Sequence, residues 1–272
     1  MSETILAVIG DTQIGSTTAL STPEFDIQDR LARETQTITA NSMQKWLHDC
    51  WLDFWQYVRE QAGIRGKSRK RRLIVVHLGD VIEGVHHGST QLIPDIGGQT
   101  QIAYDLLMPV ASMSDGFYGI LGTDAHDGPA GSDAARLYEM IGARRVDYKM
   151  ALSIDGVVHD FAHHGRVGRR PWTSAAASIA TEVIVDYAKV GLHPPAYVWR
   201  AHNHVIDDSG EKLEGTRVIC APSWQLKTAF GWRSAAQSSR SDIGGVVWTS
   251  AGVDFRRARY KAQPDGLEVI EA

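Results

Sequence analysis

Five short apolar runs in this chain each lead into a loop carrying aspartate or histidine, four of the five with glycine, and this recurrence limits the fold more than any other feature. The loops are Gly10-Asp11-Thr12-Gln13, Gly79-Asp80-Val81-Ile82-Glu83-Gly84, Gly122-Thr123-Asp124-Ala125-His126-Asp127, Ala162-His163-His164-Gly165 and Ala201-His202-Asn203-His204. Runs such as 4–9 and 73–78 are too short for a helix and read as strands buried on both faces. Strands alternating with helical stretches over the first half predict an α/β chain. Its loops then collect at the carboxyl ends of the strands, the edge where open α/β sheets hold ligands.

Between these runs the chain reads as follows. Residues 15–30 are rich in Ser and Thr and predict an irregular loop. A long helix is expected over 31–61, closed by Gly63, with Met43, Leu47, Cys50, Phe54 and Val58 at three- and four-residue spacing and Trp46, Trp51 and Trp55 widening the stripe. Further helices are expected over 99–113, 132–141 (N-cap Ser132, Gly142 beyond its end) and 171–190 (Pro171 in the first turn, Gly191 as the stop). Segments 146–154 and 157–162 predict a hairpin through Asp155-Gly156. Segments 205–206, 216–221 and 246–255 predict an antiparallel meander. No internal repeat or linker interrupts 1–272, which reads as a single domain.

Composition adds exclusions. A net charge of −4 over 272 residues gives no global attraction to nucleic acid or to an acidic membrane. No apolar window approaches the ~18 residues of a membrane span, and the first residues lack a basic leader, so a cytoplasmic protein without membrane contact is expected. Cys50 and Cys220 lie in apolar settings and read as buried free thiols.

Aspartate and neutral histidine suit divalent metals such as Mn, Fe and Zn. Five ordered loops bearing them predict a metal site. The same loops resemble the motifs of the calcineurin-like metallophosphoesterases: Asp-x-His, Gly-Asp-x-x-(Asp/Glu), Gly-Asn-His-(Asp/Glu), a lone His after a strand, and Gly-His-x-His. The resemblance covers about residues 5–204 and implies a four-layer α/β/β/α sandwich with two divalent ions at the sheet edge, Mn foremost, with Fe, Zn or Mg as alternatives.

By position, the resemblance makes Asp11 a ligand of the first metal and Asp80 the carboxylate bridging both. His163 and His202 would serve the second metal and His204 the first, with His164 as the neighbour competing with His163. Gln13 stands where the pattern has His and is a poorer ligand than imidazole. In the third loop Thr123 takes the place of Asn, and Asp124 is chemically the better ligand of the two. His126 then becomes the candidate for the pattern's catalytic histidine, which protonates the leaving oxygen or stabilises the phosphoryl charge. Glu83 is expected to support its loop. Such a pair of metals activates a water for attack on a phosphate ester.

Around this set, His77 reads as a satisfied core histidine. His86 and His87 are expected to line the substrate cleft, and Arg166, followed by Arg169 and Arg170, to meet phosphate. Six cations within 65–72 and a second group at Arg256, Arg257, Arg259 and Lys261 favour a polyanionic substrate, DNA or RNA. The reading is a phosphodiesterase acting on a nucleic acid or nucleotide. Its alternatives are a phosphomonoesterase, a nucleotide pyrophosphohydrolase, and a non-catalytic relative that binds phosphate-containing partners. Oligomeric state is left open.

Overall fold

Strand β1 (Thr4–Ile9) has all six residues buried because it has a packing layer on each side. Leu6 and Val8 face a second sheet, while Ile5, Ala7 and Ile9 face helices. The computed structural model describes residues 3–29, 34–66, 68–86, 91–93, 95–164, 175–210, 213–228 and 240–261.

The first sheet contains β1, β4 (Arg72–His77), β5 (Gly116–Ile120), β6 (Arg145–Asp147), β12 (Val246–Thr249) and β13 (Gly252–Asp254), in the order β13-β12-β1-β4-β5-β6. Strands β1, β4, β5 and β6 run parallel, and β12 returns antiparallel to β1 with Ala7 opposite Val247. The second sheet has the order β10-β11-β9-β8-β7, built from β7 (Lys149–Ile154), β8 (Val157–Ala162), β9 (Tyr197–Arg200), β10 (Asp207–Asp208) and β11 (Arg217–Cys220).

Three apolar layers hold these sheets together. Leu6, Val8, Ile74 and Trp248 of the first sheet meet Met150, Phe161, Trp199 and Ile219 of the second. Helices α1 (Ser42–Ala62), α2 (Ile96–Met113) and α4 (Ser132–Met140) cover the outer face of the first sheet through Phe54, Ile102 and Leu137. Helix α5 (Ala175–Lys189) covers the second through Ile179 and Val183 against Val198 and Val218. The result is the four-layer α/β/β/α sandwich expected. Each large side chain buried in these layers contributes about 1.5–3 kcal/mol. Cys50 and Cys220 are both buried and free, and no helix among the described residues is long and apolar enough to cross a membrane.

Several local expectations change. Residues expected to be loop and helix start instead form a hairpin of β2 (Glu24–Asp29) and β3 (Glu34–Thr39). Helix α1 starts only after Asn41, whose side chain accepts from Gln44 N at 2.9 Å while Gln44 Oε1 accepts from Asn41 N at 3.1 Å. This reciprocal cap satisfies two otherwise orphaned donors and fixes the start. Segment 146–154 divides at Tyr148, giving β6 to the first sheet and β7 to the second. The Asp155-Gly156 turn forms as expected, with φ of 50° and 83°. Asp155 also accepts from Thr4 N and Thr4 Oγ1, each at 2.8 Å, pinning the turn to β1. Strand β11 runs parallel to β9, not antiparallel as a meander requires.

Candidate metal centre

The loops after β1, β4, β5, β8 and β9 converge at one edge of the sandwich. Of eight non-glycine residues with positive φ among those described, five are candidate site residues: Asp11 (48°), Gln13 (38°), Asp80 (50°), His202 (73°) and His204 (57°). Left-handed backbone is costly for residues with a Cβ and persists where the surroundings over-determine it. Gly79 and Gly122 let two of these loops touch: a Cβ on Gly79 would lie 2.7 Å from Gly122 Cα and 3.0 Å from His163 Nδ1.

Asp80, 1% exposed, lies at the centre. Its Oδ2 is 3.1 Å from His163 Nε2 and 3.9 Å from His202 Nδ1. Its Oδ1 accepts from Thr123 N at 2.6 Å and from Thr123 Oγ1 at 2.9 Å. One donor atom each from Asp80, His163 and His202 falls within 4.8 Å of the other two. Asp11, fully buried, accepts from His202 N at 3.0 Å through Oδ2 and presents Oδ1 to His204 Nε2 at 3.5 Å. His163 donates Nδ1–H to the Leu78 carbonyl at 2.7 Å, which orients its Nε2 toward Asp80.

Electrostatics favour a cation here. Burial alone would raise the Asp80 carboxyl, but His163 and His202 hold it well below the usual carboxylate range. Burial likewise opposes the lowered Asp11, which His204 and His163 keep ionised. Burial would lower His163, yet Asp80 and Asp11 outweigh it and carry the imidazole to about 9. The buried Asp80 and Asp11 carboxylates supply the negative charge that holds this proton, and a metal ion binding His163 would displace it. The buried Asp11 Oδ1 and Gln13 Oε1 accept no hydrogen bond, which is costly for polar oxygens away from water and fits a cation beside them. These residues therefore fit divalent metal.

Gln13 lies beside His126, with its Nε2 3.1 Å from His126 Nε2. His126 donates Nδ1–H to the Glu83 carbonyl at 2.8 Å, so its Nε2 accepts from the Gln13 amide. Burial lowers the pKa of His126. In this arrangement the ring is neutral and has no proton at Nε2. Acting as an acid there requires the Gln13 amide to turn and present Oε1.

Asp124 is not brought to the cluster. It is exposed at the first turn of α3 (Asp124–Asp127), where its Oδ1 accepts from Ala130 N at 3.1 Å. Thr123, one residue earlier, takes the place beside Asp80. His164 is exposed, its ring 4.9 Å from His202 and 5.0 Å from His163. His86 stacks edge-on to His126 at 4.5 Å. His87 and Arg166 lie outside the described residues, as do Arg169 and Arg170.

Sequence reasoning misses Asp127. It is fully buried and accepts from Asp80 N, Val81 N and Gly122 N at 3.1, 2.8 and 2.6 Å, clamping the second loop to the third. Burial and nearby Asp80 push it up to about 7. Its signal is its place at the end of the third motif, where the family has an acid. His77 is the core histidine expected, meeting Thr12 Oγ1 at 3.0 Å and Tyr138 Oη at 2.8 Å and accepting from Gly79 N at 3.2 Å.

Of the basic run, Arg69, Lys70, Arg71 and Arg72 lie at the other end of β4 from Asp80, about 20 Å away at ~3.3 Å per residue. Arg69 pairs with Asp115 at 2.7 Å and Arg71 with Glu3 at 2.8 Å.

Together the four-layer sandwich and the Asp/His loops at its edge define an α/β protein with a candidate metal centre, the architecture that resemblance to the calcineurin-like metallophosphoesterases implies. No protein-family model matches the chain, and no curated protein matches it. Among solved structures it is similar to hypothetical protein PH1004 from Pyrococcus horikoshii OT3, at 12% identity and TM-score 0.49, over 95% of this chain and 89% of that one. It is also similar to an archaeal phosphodiesterase (12% identity, TM-score 0.40, 94% and 97% covered) and to the phosphoesterase YfcE from E. coli (10%, 0.40, 89% and 87%).

Proposed function

We propose that this protein is a metal-dependent phosphoesterase of the calcineurin-like type that hydrolyses a phosphodiester, with a nucleic acid or nucleotide as the substrate class. The observation that carries the reading is the position of Asp80, whose Oδ2 faces His163 and His202 while Asp11 and His204 pair at the same edge. Asp11, Gln13, Asp80 and His204 would hold one divalent ion, and Asp80, His163 and His202 a second, Mn being the first candidate. Two such ions lower the pKa of a water and clamp the phosphoryl group.

The chain's own residues do the positioning. Leu78 holds His163 through Nδ1, Thr123 holds Asp80 through Oδ1, and Asp127 keeps the two loops in register. His126 lies beside Gln13 and, in its present tautomer, would act as a proton acceptor at Nε2. That tautomer also favours a second reading, a phosphate-binding relative without turnover, because the leaving oxygen then lacks its acid. Metal content and turnover of bis-p-nitrophenyl phosphate with added Mn separate the two. Metal-dependent hydrolysis supports the enzyme; phosphate affinity without hydrolysis supports the binding protein; hydrolysis that ignores metal overturns both.

A further inference from the structure

Glu83, His86 and His126 lie next to the centre just described yet share no residue with the donor set of Asp80, His163 and His202. One donor atom from each falls within 4.8 Å of the other two. Glu83 is buried, with a side chain 1% exposed, whereas His86 retains 18% exposure. A carboxylate at that depth is costly unless charge or hydrogen bonds compensate it. Gln225 Nε2 donates to Glu83 Oε2 at 2.9 Å, which fixes the carboxylate plane. Its Oε1 faces His86 Nε2 at 3.6 Å.

That 3.6 Å separation is informative. It is too long for a hydrogen bond, and close to the ~3.4 Å edge of a tetrahedron whose ligands stand ~2.0–2.1 Å from a zinc ion. The neighbours are pre-set in the same sense. The His126 ring is held through Nδ1 by the Glu83 carbonyl and stands edge-on to His86, with ring planes at 88° and centroids 4.5 Å apart. Two imidazoles and one carboxylate, with Glu83 fixed by Gln225 and His126 by the Glu83 carbonyl, form a donor set with open positions, which suits Zn and other divalent transition metals.

We propose that Glu83, His86 and His126 form a further divalent-cation site, separate from the centre around Asp80. A cation there compensates the buried Glu83 carboxylate and replaces one of the two partners His126 now has, the Glu83 carbonyl or the Gln13 amide. The site assigns His86 a ligand role beyond lining a cleft. It stands independently of hydrolysis, because it is read from metal content and position.

The test uses the 272-residue chain stripped with a chelator and titrated with Zn by equilibrium dialysis and elemental analysis, beside His86→Ala and His202→Ala. The site predicts that His86→Ala binds one equivalent fewer than the parent and keeps whatever His202→Ala loses. Crystals soaked in Zn should give an anomalous peak among Glu83, His86 and His126. Equal stoichiometry and affinity in parent and His86→Ala, or no peak at that position, overturns the proposal. If circular dichroism shows that His86→Ala is unfolded, the anomalous map of the parent decides alone. A peak at Glu83 without phosphoesterase activity supports this site while refuting the proposed function, so the two fail separately.

Discussion

Asp80 and His163 meet through Oδ2 and Nε2 at 3.1 Å, and the Leu78 carbonyl takes the proton on the far side of the imidazole at 2.7 Å. A ring held this way presents its second nitrogen to whatever cation Asp80 attracts. Asp80→Asn weakens the charge and His163→Ala removes the nitrogen. Each should release bound metal and lower diester turnover by at least about 10²-fold. Elemental analysis alongside kinetics checks it, and unchanged metal content in both variants would refute the centre.

Thr123 acts through Asp80. Thr123→Val removes the Oγ1 donor at 2.9 Å while the backbone donor at 2.6 Å remains. Metal affinity should fall about 10–100-fold, as when other outer supports of a ligand are removed. Asp124→Ala, which removes an exposed carboxylate that accepts from Ala130 N, should leave that affinity unchanged. A larger effect at Asp124 than at Thr123 would reverse the assignment.

Asp127 carries three backbone donors. Asp127→Ala orphans two buried N–H groups and one part-buried one, and at about 1–3 kcal/mol each, not additive, a net loss of about 3 kcal/mol is expected from urea denaturation. Asp127→Asn, which keeps one acceptor oxygen, should lose less.

His77 makes a pH-dependent contribution to stability. Burial pushes it down to about 3, whereas the unfolded chain titrates near 6.5. Below pH 6.5 the unfolded chain binds a proton that the folded chain refuses. The contribution is therefore complete above 6.5 and is lost as pH falls toward 3, with a slope reaching about 1.4 kcal/mol per pH unit. Denaturation curves at pH 7 and pH 5 should show a flatter dependence in His77→Asn than in the parent. Parallel curves would mean that His77 titrates in the fold as it does in the unfolded chain.

Lys70 and Arg72 sit at the start of β4, a strand's length from Asp80. Replacing both with Gln should leave turnover of a small diester within about twofold. DNA binding should weaken, and its log–log salt slope should fall by about 0.9 for each phosphate that the variant no longer neutralises. Equal impairment on both substrates argues against a nucleic-acid role for this edge.

The strands of the centre are legible in the sequence because a strand buried on both faces has no polar alternation to blur it, as β1 shows. The Asp155-Gly156 turn is legible because few other dipeptides accept positive φ twice. The β2–β3 hairpin is hidden, since its Thr-rich strand β3 is mostly exposed and has no apolar face to announce a period. The same polarity conceals the cap at Asn41. Within the centre, residue types point to Asp124 as the better ligand, but direction decides otherwise. The chain turns into α3 after Thr123, and the next side chain rotates outward. Spacing cannot resolve one residue at a helix start. Asp127 stands at the acidic end of the third motif, but residue type does not show that its task is backbone clamping.

The antiparallel partner of β1 is β12, separated from it by most of the chain, with Leu6 opposite Trp248. During synthesis the first strand therefore emerges with one row of backbone donors and acceptors unmatched, and that row stays open until residues near 248 leave the ribosome. Pairing so distant in sequence closes slowly. An apolar strand waiting with a bare edge is a template for other chains. Completion of β12 is thus the step at which this protein escapes aggregation, and truncations that remove residues after 245 should accumulate as insoluble material even though every loop of the metal centre is present.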